Sequence, residues 1–334
     1  MSTVPNAIKR GVAAAARLHQ SLKTQPLQRG RVSPIDVFSV LQDLNVPVMI
    51  RPLEGILGAF IKDPTPGVLV TSSRPLSVQR YTAAHELGHF VLGHEFSADD
   101  EGVLRRSPFL PNHLALQEIE ANVFAASFLM PRWLMAKVTA THGWNAEALV
   151  EPENVYQLSL RLGTSYSATV YSLQRYRLVS PGDAKTLLNV PRRKIKQTLL
   201  GEIVPKDYRG DVWLLTEADR GATLAGSRND HFIVSLDEHS ASGYLWDFEK
   251  LQRSEFVVLQ DIYQEQDEVF VGSVNRRSVT IKVDEPSSGT IALKEVRPWE
   301  NEVALSTLEL EYELTGPEQA GLTQVAKKRL LSER

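Results

Sequence analysis

The pattern of apolar and polar positions predicts helices with a few strands in the first half of the chain. In "PIDVFSVLQDL", Pro34 stands at a helix start and Val37, Val40, Leu41 and Leu44 recur at helical spacing. "VPVMIRP" and "GVLVTSS" are runs rich in β-branched residues bounded by Pro, Gly and Ser, and they predict strands. Ser77 can cap a helix running from Val78 to about Leu92, with Gly93 at its end. A second helix is expected from about Ala115 to Met130, stopped by Pro131, with Ile119, Val123, Ala126 and Met130 as its apolar stripe. Near the start, "IKRGVAAAARLHQSL" predicts a surface helix on which Ile8, Val12, Ala15 and Leu18 share a face.

After about residue 205 the period changes. "HFIVSLDE", "EFVVLQD", "SVTIKVDE", "TIALKEV" and "TLELEYEL" succeed one another across short turn-like gaps. In the last of these, Leu308, Leu310, Tyr312 and Leu314 alternate with Glu309, Glu311 and Glu313, as in a strand with one wet face. Many short strands at such spacing predict an all-β sandwich. The stretch from 181 to 205 is rich in Pro, Gly and charge and is expected to be a solvated linker, so that the two halves would fold independently and proteolysis would cut there first.

Composition narrows this picture. With 334 residues, an ordinary apolar fraction and a net charge of −3, the chain has room for two soluble domains and carries no global signature of nucleic-acid or membrane binding. No apolar run approaches the roughly 20 residues that span a bilayer. There is no cysteine, so a transition-metal site must be built from His and carboxylate, and a cytoplasmic location fits. The first acidic residue is Asp36, which gives the N-terminal stretch some likeness to a targeting segment; a surface helix is the preferred reading.

The densest chemistry lies in "AAHELGHFVLGHE". On a helix, four residues turn through about 400°, so His85 and His89 point the same way and can bind one zinc. Glu86 projects to the side, where it can hold and deprotonate a water. A third ligand is needed. His94 falls about 140° off the face if the helix continues. Leu92 and Glu95 stand where the metzincin pattern needs Gly and His, so that pattern fails. In "QEIEANVFAASFLMP", Glu120 sits beside an apolar stripe, where a carboxylate needs a partner that a metal would supply. Glu118 is expected to point elsewhere, into solvent. Gly88 is tolerable inside the helix if another segment approaches closely there, since glycine costs about 1 kcal/mol relative to alanine.

"RYTAAHELGHFVLGH" followed by "EIEANVFAASFLMP" resembles the ImmA/IrrE family of zinc metallopeptidases, over roughly residues 5 to 180. The resemblance implies His85, His89 and Glu120 as ligands of one Zn2+, Glu86 as general base, and helix-turn-helix transcriptional repressors as substrates, cut at one bond to relieve repression. Tyr81, His94 and His113 are candidates for stabilising the oxyanion.

Residues 155 to 179 have the cadence of a helix-turn-helix: Leu158 and Leu162, then Gly163 and Thr164, then Val170 and Leu173, with Arg175 and Arg177 in reach of phosphate. The second helix offers Ser165, Tyr166, Ser167 and Thr169 but little positive charge, so packing is preferred to DNA contact.

"DEHSASGYLWDF", "VGSVNRRSVTIKV" and "SSGTIALKEVRPWE" resemble, in order, motifs of the chagasin family of cysteine-protease inhibitors, over roughly residues 208 to 315. That family has an immunoglobulin-like sandwich whose three end loops enter the cleft of papain-like proteases. Its first loop survives here only as Gly243 and the aromatics Tyr244 and Trp246; the middle loop keeps Gly272 and has Asn275 at its second glycine; Arg297, Pro298 and Trp299 match. These residues are the candidate partner-binding set, with Trp299 as anchor.

The expected architecture is an α+β zincin-like metallopeptidase domain (1–180), a linker (181–205), an all-β immunoglobulin-like, chagasin-like sandwich (206–316) and a C-terminal tail (317–334). The leading function is zinc-dependent cleavage of a repressor protein, with the sandwich as a recognition or regulatory module. The alternatives are an interaction protein that inhibits a papain-like cysteine protease through the sandwich, and a DNA-binding regulator.

Overall fold

The structure is a computed structural model and describes residues 3–23, 32–94, 97–99, 116–252, 255–264, 274–300 and 303–332. Helix α1 (Val4–Ser21) lies across the later helix α4 (Leu116–Leu129). Its inward face is Ala7, Gly11, Ala14, Ala15 and Leu18; of the expected face Ala15 and Leu18 are buried, Ile8 is half-buried and Val12 is exposed. The small residues win this face because α4 comes too close for larger ones; a Cβ on Gly11 would stand 2.6 Å from the carbonyl oxygen of Glu120.

A short helix α2 (Val37–Asp43) starts at Asp36, whose carboxylate accepts from the backbone N–H of Phe38 and Ser39. The strands β1 (Val48–Arg51) and β3 (Gly67–Thr71) come next, as the β-branched runs predict, with β2 (Gly58–Ile61), which no run announced, between them. Helix α3 (Leu76–Leu92) succeeds them; Pro75 precedes its first turn, and Ser77 lies inside the helix rather than capping it. A short β4 (Ser97–Asp99) lies in the chain between α3 and α4. The sheet order is β13-β1-β3-β2-β4, and β13 (Gly321–Leu322) comes from the far end of the chain, antiparallel to β1. The segment expected to be a C-terminal tail therefore supplies a strand to the N-terminal sheet, then a helix, Gln324–Ser332.

Helix α5 (Arg132–Thr141) starts at Pro131, and the helix-turn-helix-like unit comes after it as α6 (Pro152–Leu162) and α7 (Tyr166–Arg175), joined at Gly163 in the left-handed conformation. Leu158, Leu162, Val170 and Leu173 are buried between them, and so are Tyr166 and Thr169 of the supposed reading face. Arg175 donates to Ser127 Oγ at 2.8 Å. The unit is helical packing.

The stretch read as a linker contains two more helices, α8 (Pro181–Asn189) and α9 (Arg192–Leu200), which bury Ala184, Leu187, Ile195 and Leu200. Its charges lie on the wet faces of these amphipathic helices, which is why composition alone read it as solvated.

The sandwich has one sheet of order β5-β7-β10-β9, namely Val212–Leu215, His231–Glu238, Asn275–Val283 and Phe256–Gln264. The other sheet has the order β6-β12-β11-β8, namely Thr223–Ala225, Ser306–Glu313, Ser288–Val296 and Leu245–Trp246. Leu308, Leu310, Tyr312 and Leu314 face inward, meeting Phe232, Val234, Phe256, Ile281 and Leu293.

Side chains of α6 cover the edge of β5. Gln157 donates from Nε2 to the Val212 carbonyl at 2.7 Å and accepts the Leu214 N–H at 2.9 Å, while the Tyr156 hydroxyl accepts the Val212 N–H at 3.1 Å. An open edge strand is thus closed by the N-terminal half. On the other side of the seam, Gln79 of α3 donates to the carbonyl oxygens of Thr71 and Glu318 and accepts the Glu318 N–H at 2.7 Å. The two halves share one buried core.

Candidate metal centre

Helix α3 is buried almost without interruption from Gln79 to His89, which is how polar side chains at 85, 86 and 89 come to lie inside the protein. His85 and His89 lie one turn apart, their rings meeting edge to face with centroids 4.8 Å apart, and their Nε2 atoms are 3.0 Å from each other. Glu118, in the first turn of α4, sets its Oε2 3.3 Å from Nε2 of His85 and 3.5 Å from Nε2 of His89.

Here the structure departs from the expected ligand set. Glu118 turns inward to the imidazoles, with only 12% of its side chain exposed. Glu120, the residue expected as third ligand, is 2% exposed but faces away from them. Its Oε1 accepts from Nη1 of Arg10 at 2.8 Å, and its Oε2 lies 3.0 Å from Nε2 of His94. The burial argument correctly required a partner for Glu120, and α1 supplies one in Arg10.

The residues fit a metal ion. Four-coordinate zinc with bonds of about 2.0–2.1 Å places neighbouring donors roughly 3.3 Å apart. The distances among the two imidazole nitrogens and the carboxylate oxygen, 3.0, 3.3 and 3.5 Å, match that edge. Among the described residues this is the one group of three potential ligand side chains that comes together in this way. Two imidazoles and a carboxylate suit zinc and other divalent first-row ions.

Glu86 is fully buried beside the pair, under β2. A Cβ built on Gly58 of β2 would stand 2.8 Å from its Oε1 and 2.4 Å from Cγ2 of Thr82, so only glycine leaves room for the Glu86 carboxylate here. Gly88 is the corresponding close approach on the other side: a Cβ there would lie 3.1 Å from Cα of Ala121 in α4. That contact lets α4 come near enough for Glu118 to reach the imidazoles.

Of the residues considered for oxyanion stabilisation, Tyr81 directs its hydroxyl to the Asn122 carbonyl at 3.3 Å, His94 stands behind His89, and His113 lies outside the described residues. The place of His94 has a local cause. The helix ends at Leu92, Gly93 is left-handed at φ 69°, and the His94 N–H returns to the His89 carbonyl at 3.0 Å. The ring therefore folds back beneath His89 instead of continuing around the helix.

At the end of the sandwich, the candidate partner-binding residues divide. Trp246 is a core residue, 3% exposed, donating from Nε1 to the Asp237 carbonyl at 2.8 Å, and so is not available to a partner. Its strand neighbour Glu295 lies opposite it in β11, which seats the indole between the sheets. Gly243 is left-handed at φ 79°, and a Cβ on it would come 2.6 Å from the Trp299 ring. Arg297 stacks over Tyr244 at 4.5 Å, Pro298 is exposed, and Trp299 is 73% exposed. First and last loops thus form one patch. Gly272 lies outside the described residues, and Asn275 donates to the Ser240 hydroxyl at 2.7 Å.

Residues 41–174 match the family model of the IrrE N-terminal-like domain, and residues 227–315 match that of the chagasin family of peptidase inhibitors. None of the curated proteins matches the chain. Among solved structures, it is similar to the crystal structure of the cysteine protease inhibitor EhICP2 from Entamoeba histolytica, at 25% identity and a TM-score of 0.28, covering 32% of this chain and 99% of that one. It is also similar to the solution structure of amebosin, at 19% identity and a TM-score of 0.24, covering 31% and 97%. A third similarity is to PbICP-C in complex with falcipain-2, at 14% identity and a TM-score of 0.20, covering 32% and 94%.

Proposed function

From a chain that joins an IrrE N-terminal-like domain to a chagasin-family domain, we propose a zinc-dependent endopeptidase that cuts a helix-turn-helix transcriptional repressor, with the sandwich as its recognition or regulatory module. The observation that carries the peptidase reading is the convergence of His85 Nε2, His89 Nε2 and Glu118 Oε2 within 3.5 Å of one another inside the protein. These three side chains hold the ion. A divalent cation there supplies Lewis acidity towards a water and a peptide carbonyl. Glu86, buried beside the pair, takes the proton of the attacking water and passes it to the leaving amine. Gly58 keeps that carboxylate in place by leaving it room. The repressor substrate, and with it a cytoplasmic site of action, rests on the resemblance of the two metal-site motifs to ImmA/IrrE peptidases.

The full-length protein is expected to hold about one zinc per chain, measured by elemental analysis after dialysis. His85→Ala, His89→Ala and Glu118→Ala should each remove most of it. Glu86→Gln should keep the metal and lose cleavage of a co-expressed repressor, because the base is not a ligand. Full occupancy in Glu118→Ala, or activity in Glu86→Gln, would sink this reading.

A second reading concerns the sandwich. Its end carries a packed patch of Gly243, Tyr244, Arg297 and Trp299 with the indole in solvent, which supports docking of a macromolecular partner. A papain-like cysteine protease is the partner that the chagasin resemblance suggests.

A further inference from the structure

Glu118 and Glu120 are two residues apart on α4 and project about 200° apart. Glu118 reaches the Nε2 atoms of His85 and His89. Glu120 leads the other way along a continuous chain of contacts. Arg10 Nη1 donates to its Oε1 at 2.8 Å; its Oε2 lies 3.0 Å from His94 Nε2; His94 Nδ1 lies 3.0 Å from His89 Nδ1. All but Arg10 are buried.

The donor roles along this chain are set by its far end. A carboxylate paired with a guanidinium has no hydrogen to give, so His94 Nε2 must donate to Glu120. A neutral imidazole that donates from Nε2 has a bare Nδ1, and that atom can only accept. His89 must then donate from Nδ1, which puts the lone pair on its Nε2. That nitrogen is the one facing His85 and Glu118. His94 meets the opposite side of the His89 ring, so it stands behind the ligand and is not a ligand itself.

We propose that Glu120 is a positioning residue that acts through His94 to hold His89 in the tautomer able to bind a metal, with Arg10 fixing Glu120. The proposal rests on the reading of His85, His89 and Glu118 as ligands, and it assigns the second acid of "EIE" a role distinct from the first. A carboxylate two imidazoles away from the ion replaces the usual direct carboxylate behind a ligating histidine. Such outer partners orient the ring and raise its basicity, and losing them typically weakens metal binding about 10- to 100-fold.

The test uses the full-length protein, stripped of metal and labelled with 15N in its imidazoles, at about pH 8 where an ordinary histidine is neutral. Long-range 1H–15N correlation spectra report which ring nitrogen carries the hydrogen. The expected result is a protonated Nδ1 and bare Nε2 in His89, and the reverse in His94. Glu120→Ala and His94→Phe should each turn His89 into a mixture of tautomers and lower zinc affinity, measured by chelator competition, about 10- to 100-fold. Arg10→Met, half exposed and remote from the core, should shift both readouts the same way by less. A merely structural role would lower thermal stability without moving the tautomer. A His89 that carries its hydrogen on Nε2, or that keeps its tautomer and metal affinity in both Glu120→Ala and His94→Phe, would overturn the proposal. So would complete loss of zinc in Glu120→Ala with full retention in Glu118→Ala, which would make Glu120 the ligand. The tautomer measurement needs no metal, so it stands even if the protein is found to bind none.

Discussion

Arg161 of α6 meets Asp219 of the sandwich in parallel: Nε donates to Oδ1 and Nη2 to Oδ2, both at 2.8 Å, with both side chains buried in the seam. His142 adds its Nε2 at 3.1 Å from Oδ1, and Asp219 also accepts the Thr216 N–H, closing the turn that precedes β6. Burial would push the Asp219 carboxyl up, but the charge of Arg161 and the hydrogen bonds of His142 and Arg161 outweigh it and bring it down to about 2. A carboxyl depressed in the folded state contributes stability that is present above its unfolded value and is lost as pH falls through the folded one. The seam should therefore weaken between about pH 4 and about pH 2, by on the order of 2 kcal/mol. Urea midpoints across that range should fall in the native protein and fall less in Asp219→Asn. Asp219→Ala, which strands Arg161 in the interior, should cost about 3–5 kcal/mol at neutral pH. An acid profile unchanged by Asp219→Asn would remove this pair from the account.

The same seam predicts how the halves unfold. Gln157 and Tyr156 close the edge of β5, Gln79 holds the backbone of Glu318, and β13 pairs with β1. Each contact joins the N-terminal half to the C-terminal part of the chain. Heating the whole chain should give one transition by far-UV and near-UV circular dichroism together, as two-state behaviour requires. A chain ending at residue 316, which lacks Glu318 and β13, should melt several degrees lower, since about 1 kcal/mol shifts the midpoint by roughly 2–4 °C at domain sizes of 150–250 residues. Two well-separated transitions would show instead that the seam is only a contact.

Gly88 ties fold to site. A Cβ there would lie 3.1 Å from both Cα of Ala121 and Cδ1 of Phe124, and the first of these is backbone that cannot swing aside. Gly88→Ala gains about 1 kcal/mol of helix propensity and loses more in overpacking, typically about 1–3 kcal/mol. The larger effect should be on the metal, because pushing α4 outward carries Glu118 away from the imidazoles. The expected outcome is a modest fall in melting temperature and a zinc affinity lower by an order of magnitude or more, about as for loss of an outer-shell partner. Unaltered zinc affinity would mean that Glu118 does not depend on this contact.

Much of this site was legible in the sequence. His85, Glu86 and His89 are placed by helical spacing alone, and Gly93 and Pro131 mark the ends of α3 and α4 correctly. Which carboxylate meets the two imidazoles was not legible. Choosing between Glu118 and Glu120 depends on the rotation of α4 about its axis relative to α3, and the more buried acid is the one with a cation from α1, a segment 110 residues away. Burial identified a carboxylate with a partner; it could not say which partner. Of the two helices within the supposed linker, α8 did leave a signal. Ser180, Pro181 and Asp183 make a capping box with proline in the first turn, and all three stand in the sequence. β13 left none, because two residues carry no period. In the sandwich, alternation identified the strands and the inward side of β12, whereas Trp246 and Trp299, alike in sequence, divide into core and surface only when β8 pairs with β11.

Trp299 offers the last prediction. Its indole is 73% exposed while its rim packs on Gly243, and the neighbouring Arg297 is held over Tyr244 and donates to the Ser242 carbonyl. A large aromatic already fixed on one side loses little freedom when its other side is covered, which is what makes such a residue a strong anchor. Trp299→Ala removes a side chain that buries little within the protein, so the melting temperature and zinc content should not change. Affinity for whatever the sandwich binds should fall by about 2 kcal/mol or more, roughly 30-fold. Two measurements separate the candidate partners: cleavage of the repressor by native and Trp299→Ala protein, and inhibition of papain by each. Loss of repressor affinity with no papain inhibition by either protein would make the sandwich a substrate reader. Tight papain inhibition that Trp299→Ala abolishes would make it an inhibitor fused to a peptidase. Equal behaviour of the two proteins in both assays would leave the indole without a binding role.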